Sequence, residues 1–167
     1  MKQRDTSKGT SVNSVKLPRI YNKVDFDDLM TCCGLLVFDY GCGKYDNAKD
    51  FIEGMGGTWW GYDPYNRPEV LNNSALFWEG YCDCLICSNV LNVIAEDDII
   101  ERLVYDHFWT ETPFFVTVYE GNRTGKGAVS KEDCYQRNER VQKYLKYFPE
   151  GTVIYKGVIT NAPQFIK

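Results

Sequence analysis

The stretch of sequence that decides the fold is Leu-Leu-Val-Phe-Asp-Tyr-Gly-Cys-Gly, residues 35–43. It is an apolar run that ends in an acid and a Gly-x-Gly turn. Residues 58–63, Thr-Trp-Trp-Gly-Tyr-Asp, form a second apolar run that ends in an acid. A strand, a glycine turn, a helix and a second strand with a carboxylate at its tip make half of a nucleoside-binding crevice. The carboxylate of Asp63 can accept hydrogen bonds from two ribose hydroxyls.

Apolar spacing predicts the remaining elements along the chain. A turn or helix is expected within 16–30, a helix over about 46–55, and another over about 96–108. A last helix is predicted near 132–147. Strands are predicted at 35–40, 58–63, 74–78, 83–87 and 114–119, with a tight hairpin of two more strands around Gly157.

This alternation of strands and helices predicts an α/β fold. The nearly continuous apolar run at 83–87 indicates a strand that is buried on both sheet faces. We therefore expect a three-layer α/β/α, Rossmann-like domain with a mostly parallel seven-stranded sheet and an antiparallel edge hairpin. A single domain is expected over 16–167, after a flexible N-terminal tail at 1–15.

Bulk properties favour an ordinary globular protein. The 167 residues are 44% hydrophobic, which is enough for a substantial core. No apolar run approaches the roughly 18 residues of a membrane span, and the polar N-terminus does not look like a signal peptide. Seven cysteines, an odd number, favour reduced thiols. We expect a cytoplasmic protein without membrane association.

The charge distribution is uneven. The net charge of −4 does not favour general attraction to nucleic acid. The first 23 residues nevertheless carry six bases against one acid, Asp5; the bases are Lys2, Arg4, Lys8, Lys16, Arg19 and Lys23. Such a basic lip can hold a phosphate-bearing substrate, although a run of charge usually forms a solvated face.

Three motifs together carry a family resemblance. Asp-Tyr-Gly-Cys-Gly (39–43), Asp-Pro-Tyr (63–65) and Ser-Asn-Val-Leu-Asn-Val-Ile (88–94) each follow a predicted strand. With the order of elements, they resemble the class I S-adenosylmethionine (SAM) dependent methyltransferases over residues 21–162. Within that superfamily the motifs look similar to small methyltransferase-like proteins of bacteria and phages, and to the methyltransferases associated with DNA phosphorothioation.

The resemblance implies a SAM site at one edge of the sheet. In the family, the glycine turn passes under the methionine part of SAM, and the acid after the second strand holds the ribose. By position, Tyr65 packs near the adenine, Trp78 and Glu79 grip it, and residues 87–89 line the sulfonium side. The implied cofactor-binding residues are Asp39, Gly41, Gly43, Asp63, Tyr65, Trp78, Glu79, Cys87, Ser88 and Asn89.

The loops after the later strands supply the catalytic candidates, Glu120 and Asn89. A carboxylate can accept a proton and an amide can orient an acceptor. The alternatives are that Glu120 is a loop acid paired with Arg123, and that Asn89 shapes its own turn. Acceptor binding is expected from Arg123, Tyr135, Gln136 and Arg137, for which solvent exposure is the ordinary alternative.

Competing motifs are weaker. A dinucleotide fingerprint needs a third small residue, where this chain has Asp46, and a carboxylate beside a pyrophosphate is unfavourable. The Cys82-x-Cys84-x-x-Cys87 pattern would point its thiols to opposite faces of a strand, so no metal is expected. His107, the single histidine, can be a base but more commonly interacts with a helix C-terminus.

The predicted activity is methyl transfer from SAM to an unidentified acceptor, with SAM and S-adenosylhomocysteine (SAH) as ligands. A small-molecule acceptor is slightly favoured over nucleic acid, because the chain is acidic and has no added recognition domain. Two alternatives stay open: a SAM-binding protein or partner subunit without catalysis, and an enzyme that degrades SAM.

Overall fold

The computed structural model describes residues 16–30, 32–131 and 134–167. The predicted N-terminal tail, 1–15, lies outside these ranges. None of the helices within them is long and apolar enough to span a bilayer.

Within these ranges, eight strands form a central sheet and a separate hairpin. Their bounds are β1 (Leu36–Tyr40), β2 (Thr58–Tyr62), β3 (Cys84–Ser88), β4 (Phe114–Thr117), β5 (Ala128–Lys131), β6 (Cys134–Gln136), β7 (Val153–Tyr155) and β8 (Val158–Thr160). The central sheet has six strands in the order β2-β1-β3-β4-β8-β7, and β5 pairs with β6. Pairs among β1 to β4 are parallel, whereas β8 is antiparallel to both of its neighbours. The predicted mixed α/β fold with a mostly parallel sheet is confirmed.

Helices cover both faces of this sheet. They are α1 (Phe26–Leu29), α2 (Asn47–Gly54), α3 (Glu69–Glu79) and α4 (Asp97–Phe108), with 3-10 helices at Arg19–Asn22, Leu91–Val93, Val141–Tyr147 and Pro163–Phe165. One core cluster packs α3, α4 and 141–147 against Phe38, Leu85 and Phe114. The other packs the N-terminal helices and α2 against Val37 and Phe115 on the opposite face. Alternate residues of each strand therefore face different cores, as expected for a covered parallel sheet.

The expected seventh strand is wrong, because residues 74–78 belong to α3. The four apolar residues in a row, 75–78, have no clear period and fit a short strand as well as a helix. The longer window resolves the ambiguity: Pro68 precedes the first turn, Ala75 faces the core, and Gly80 follows the last residue. As a result, β2 is an edge strand of the central sheet.

The predicted helix near 132–147 is also wrong. Residues 134–136 form β6, and the following helix, Val141–Tyr147, is of the 3-10 type. Its buried side chains are Val141, Tyr144 and Tyr147, which recur every three residues. That period matches a 3-10 helix, with three residues per turn, better than an α-helix.

The C-terminal hairpin lies at the sheet edge, as predicted, with one difference in arrangement. The antiparallel strand β8 is inserted between β4 and β7, so β7 is the outermost strand. Burial explains the order, since Val158, Ile159 and Thr160 are fully buried while Val153 and Tyr155 are exposed.

Arg137 joins the β5–β6 hairpin to the body of the domain. Its backbone N–H donates to the carbonyl of Asn92 at 2.9 Å, and its Nη1 donates to the carbonyl of Ile94 at 3.2 Å. The guanidinium also pairs with Asp97 at the start of α4 and with Glu139 at 3.2 Å. The side chain is buried, so these bonds form the connection between the hairpin and the loop after β3.

We expect Arg137→Lys to lower the free energy of unfolding by about 1–3 kcal/mol. A lysine ammonium cannot replace the planar guanidinium that contacts Ile94, Asp97 and Glu139 at the same time. Urea denaturation measures the change. Arg102→Lys is the matched control, since that side chain is 85% exposed and should show no measurable effect. Equal stabilities of the two variants would contradict the bracing role of Arg137.

Candidate functional site

The site lies where the strand order changes direction. The chain passes from β1 to β2 on one side, and then crosses to β3 on the other side of β1. In open parallel sheets, ligands bind at such switch points beyond the carboxyl ends of the strands. A cavity of about 660 Å³ opens there, which is within the range of small-ligand sites.

A glycine turn forms the floor of this cavity. Gly41 and Gly43 have φ angles of +73° and +80°, a region that favours glycine. The N–H of Gly41 donates to the carbonyl of Tyr62 at 2.7 Å, which ties the turn to the end of β2. A Cβ atom on Gly41 would collide with the side chain of Val90, which follows β3. Both glycines are therefore required by the geometry of the turn.

The carboxylate of Asp63 connects the ends of β1 and β2. Its Oδ2 accepts a hydrogen bond from the N–H of Gly43 at 3.0 Å. Its Oδ1 accepts from the N–H groups of Tyr65 and Asn66 at 3.0 Å and from the Asn66 amide at 2.9 Å. A carboxylate has about four acceptor positions, two on each oxygen. Oδ1 is therefore saturated, and Oδ2 retains room for one further donor instead of the two that the sequence predicted.

Two residues that sequence reasoning missed hold this arrangement. The Asn72 amide on α3 accepts from the N–H of Asp63 and donates to its carbonyl, both at 3.0 Å. Arg67 donates to the carbonyls of Gly43 at 3.0 Å and Tyr45 at 3.1 Å, and pairs with Asp46 at 2.6 Å. A polar residue on the inner face of a helix was a usable signal for Asn72, but only once 69–79 is recognised as helical.

Asp39 lies under the glycine turn in a buried network. Its carboxyl accepts a hydrogen bond from the hydroxyl of Tyr21 at 2.7 Å, and that hydroxyl accepts from the Trp59 indole at 3.0 Å. Burial raises the pKa of Asp39 to about 7, while the Tyr21 hydrogen bond opposes the rise. The residue lines the cavity, so a carboxyl group that titrates near neutral pH contributes to its floor.

The loop after β3 supplies the next part of the wall. Ser88 and Asn89 line the cavity, and the Ser88 hydroxyl lies 3.3 Å from that of Thr117. Asn89 has a φ of +60° and its N–H donates to the carbonyl of Thr117 at 2.8 Å. Asn tolerates this conformation better than most residues, and such conformations cluster at functional sites. Cys87 is fully buried in the core, and burial raises the pKa of its thiol.

Tyr65 is the predicted adenine neighbour that does lie at the cavity. It lines the wall beside Pro64, and 47% of its surface is exposed. Trp78 and Glu79 lie on α3 instead of following a strand, so the positional reason for assigning them to adenine is wrong. Trp78 stacks on Trp60, and Glu79 lies 2.5 Å from Nδ1 of His107 on α4. These contacts brace α3 against the sheet and against α4.

The predicted catalytic acid is engaged in internal contacts. Glu120 accepts a hydrogen bond from the N–H of Val141 at 2.8 Å and pairs with Arg123 at 2.6 Å. Its neighbour Tyr119 lines the cavity and is 61% exposed. Glu120 thus holds the first residue of a 3-10 helix, in agreement with the alternative of a loop acid paired with Arg123.

The other predicted acceptor-binding residues form the framework beside the cavity. The Gln136 amide donates to the carbonyl of Tyr119 at 2.9 Å and accepts from the Asn92 amide at 3.1 Å. Arg137 is committed to the brace described above. The hydroxyl of Tyr135 lies against Gly127, where a Cβ would collide with it. The structure brings these side chains together around the hairpin and does not bring them into the cavity wall.

Metal chemistry has no candidate centre in the described part of the chain. No group of three or more His, Cys, Asp or Glu side chains there is arranged to hold an ion.

No protein-family model, curated protein or solved structure matches the chain. The chemistry of the site therefore rests on its own geometry.

We expect Tyr21→Phe to destabilise the protein by about 1–3 kcal/mol, and more at pH 8 than at pH 5. Asp39 ionises near pH 4 when unfolded and near pH 7 when folded, so its contribution to stability is present below about pH 4 and is lost as pH rises to about 7. Without the Tyr21 donor the pKa of Asp39 rises further, and the ionised form loses its partner. Urea denaturation at the two pH values measures both effects.

Tyr144→Phe is the control for this pH dependence. Tyr144 is also fully buried, but its hydroxyl has no hydrogen-bond partner among the described residues. Its removal should change stability little and equally at both pH values. A Tyr21 variant with the same pH-independent behaviour would contradict the coupling to Asp39.

Proposed function

We propose that this protein is a SAM-dependent methyltransferase, which transfers a methyl group from SAM to an acceptor. The observation that carries the proposal is the hydrogen bond between Asp63 and Gly43 at the switch point of the sheet. It sets a carboxylate at the tip of β2 beside a glycine turn at the tip of β1, the arrangement that a bound nucleoside requires.

The residues present fit the nucleoside part of SAM. The free acceptor position on Oδ2 of Asp63 suits one ribose hydroxyl, and the exposed ring of Tyr65 suits a flat base. Gly41 lines the cavity, and its missing Cβ lets the Val90 side chain pack against the glycine turn. The methionine part is then expected over Gly41 towards Ser88 and Asn89, which line the same cavity.

Among the described residues, no strand pairs with the outer side of β2, where the sequence predicted one at 74–78. This changes how the base would be held. Trp78 and Glu79 are used in contacts of α3, so we assign the adenine side to Pro64 and Tyr65 instead. The strands β1, β2, β3 and β4, whose ends surround the cavity, are parallel as predicted, and the predicted strand at 74–78 is the one that is replaced by part of α3.

SAM, when bound, would supply an electrophilic methyl group, which an acceptor nucleophile can take in line as the carbon–sulfur bond breaks and SAH leaves. The protein's own contribution is to position the acceptor and, where needed, to remove its proton. Asn89 and Tyr119 are the polar residues of the wall best placed to orient an acceptor. Glu120 as proton acceptor stays a prediction, and its bonds to Val141 and Arg123 favour a supporting role.

A SAM-binding protein without catalysis is the second candidate. The specific observation in its favour is that Glu120, Gln136 and Arg137 are all engaged in internal contacts. Methylated product from a panel of acceptors, at a turnover above that of the protein-free reaction, would favour the enzyme. Tight SAM binding with no product from any acceptor would favour the second candidate.

A dinucleotide enzyme is less compatible with the turn. Asp46 directly precedes α2, where a pyrophosphate would need to approach the helix N-terminus, and its carboxylate pairs with Arg67. We therefore expect saturable one-to-one calorimetric binding of SAM and SAH, and no binding of NAD at the same concentrations. Binding of NAD alone would contradict the proposal, and so would binding of none of the three.

We expect Asp63→Asn to weaken SAH binding at least tenfold, which is about 1.4 kcal/mol. If the amide nitrogen faces the N–H of Gly43, the acceptor position for the ribose is lost. If it faces the N–H groups of Tyr65 and Asn66 instead, the turn that positions residue 63 loses its acceptor. Calorimetry at a temperature where the variant remains folded measures the effect.

Asp50→Asn is the matched control, because it makes the same change at an exposed acid of α2. It should bind SAH like the wild type. Unchanged SAH affinity in a folded Asp63→Asn variant would contradict the ribose assignment.

A further inference from the structure

The walls of the cavity are polarised. The acids Asp39 and Asp63 lie at the β1 and β2 end. The segment 16–23 crosses the mouth and adds the cations Lys16, Arg19 and Lys23 to the lining. These three belong to the basic group of the N-terminal sequence, which the methyltransferase proposal leaves without a role.

The basic segment is fixed to the domain at several points. Two residues of the segment itself, Ile20 and Tyr21, are buried, and the Tyr21 hydroxyl donates a hydrogen bond to Asp39. At its end, the carbonyl of Lys23 accepts a hydrogen bond from the N–H of Lys167 at 2.8 Å. The backbone that carries Arg19 and Lys23 is therefore held in place across the cavity mouth.

The Lys23 ammonium is directed to the β8 end of the cavity. Its Nζ donates to the carbonyl of Lys156 at 2.7 Å, in the turn between β7 and β8. Gly157 of the same turn also lines the cavity. An ammonium has three donors, so two remain for a ligand. Within the described ranges, neither Arg19 nor Lys23 forms an ion pair with a carboxylate, and their charges are left uncompensated.

Strand order separates Lys23 from the expected cofactor. β8 lies three strand positions from β1, which is roughly 14 Å at the usual strand spacing. The glycine turn and Asp63 follow β1 and β2, so the ends of the cavity suit two different ligands. Arg19 is exposed and Lys23 is half-buried, and both line the cavity. Two cations in one cavity favour a phosphate or a carboxylate as ligand.

We propose that the acceptor is an anionic small molecule, whose phosphate or carboxylate is bound by Lys23 at the β8 end of the cavity and by Arg19, which lines the same cavity. The identity of this anion as an acceptor rests on the proposed methyltransferase function; the anion site itself does not. A small molecule fits better than nucleic acid, because the whole chain is acidic and the cations line a cavity of limited volume.

The test uses the full chain and inorganic pyrophosphate as the probe. Calorimetry should detect pyrophosphate binding to the wild type, and the double variant Arg19→Gln/Lys23→Gln should weaken it at least about tenfold. SAH affinity should stay within about twofold, since the cations lie away from the nucleoside end. Lys23→Arg keeps the charge and should retain pyrophosphate binding, which guards against loss through misfolding.

Arg102→Gln/Lys143→Gln is the matched control, since it removes two exposed positive charges away from the cavity. It should leave pyrophosphate binding unchanged. Equal losses in both double variants would reveal general charge attraction and overturn the site. No pyrophosphate binding by the wild type would overturn it as well.

Two further ligands test whether the cations instead bind the carboxylate of the cofactor or the phosphates of a nucleic acid. If Arg19→Gln/Lys23→Gln weakens SAH but not methylthioadenosine, which lacks the carboxylate, the cations bind the cofactor and the acceptor assignment fails. If a single-stranded oligonucleotide binds more tightly than pyrophosphate, with a steep salt dependence, the small-molecule assignment fails. Pyrophosphate binding that depends on Arg19 and Lys23, without any SAH binding, would overturn the methyltransferase function and leave the anion site.

Discussion

The bond from the N–H of Gly43 to the carboxylate of Asp63 is the contact on which the site depends. It joins residues twenty positions apart, and it fixes the exit of β1 against the exit of β2. The same carboxylate accepts hydrogen bonds from the N–H groups of the turn that leads towards α3. The Asn72 amide binds the backbone of Asp63, and Arg67 donates to the carbonyl of Gly43 in the glycine turn. A half-buried turn with unmet N–H groups would be costly. One side chain therefore sets both the shape of the cavity floor and its capacity to accept a further hydrogen bond.

Acidic and basic side chains line different parts of the cavity around this floor. Acidic groups lie at the nucleoside end, and burial brings the Asp39 carboxyl to a pKa of about 7. Lys23 lies at the β8 end, where it donates to the turn after β7, and Lys16 and Arg19 of the same segment also line the cavity. Tyr21 connects the two ends, because it anchors the basic segment by its hydrogen bond to Asp39.

Local patterns predicted the elements whose sequence signals are complete within a few residues. β1, β2, α2 and α4 lie within a residue or two of their predicted bounds, because caps, glycines and a clear period mark them. Residues 74–78 failed since a short apolar run has no period, and 141–147 failed because its period of three is not that of an α-helix. Asn72 was missed because residues 69–79 were not recognised as a helix. Arg67 and Tyr21 were missed because each contacts residues remote in sequence, a relation that one chain without its fold does not reveal.

The most direct test is an amide NMR titration of the labelled protein with SAH. A nucleoside held by Asp63 and the glycine turn should shift the amide signals of Gly41, Gly43 and Asn66 together, in one saturable process. Signals from the exposed side of α4, such as that of Arg102, should not move. Unchanged signals of the three turn residues at high SAH concentration, or shifts confined to another surface, would contradict a cofactor site at the switch point.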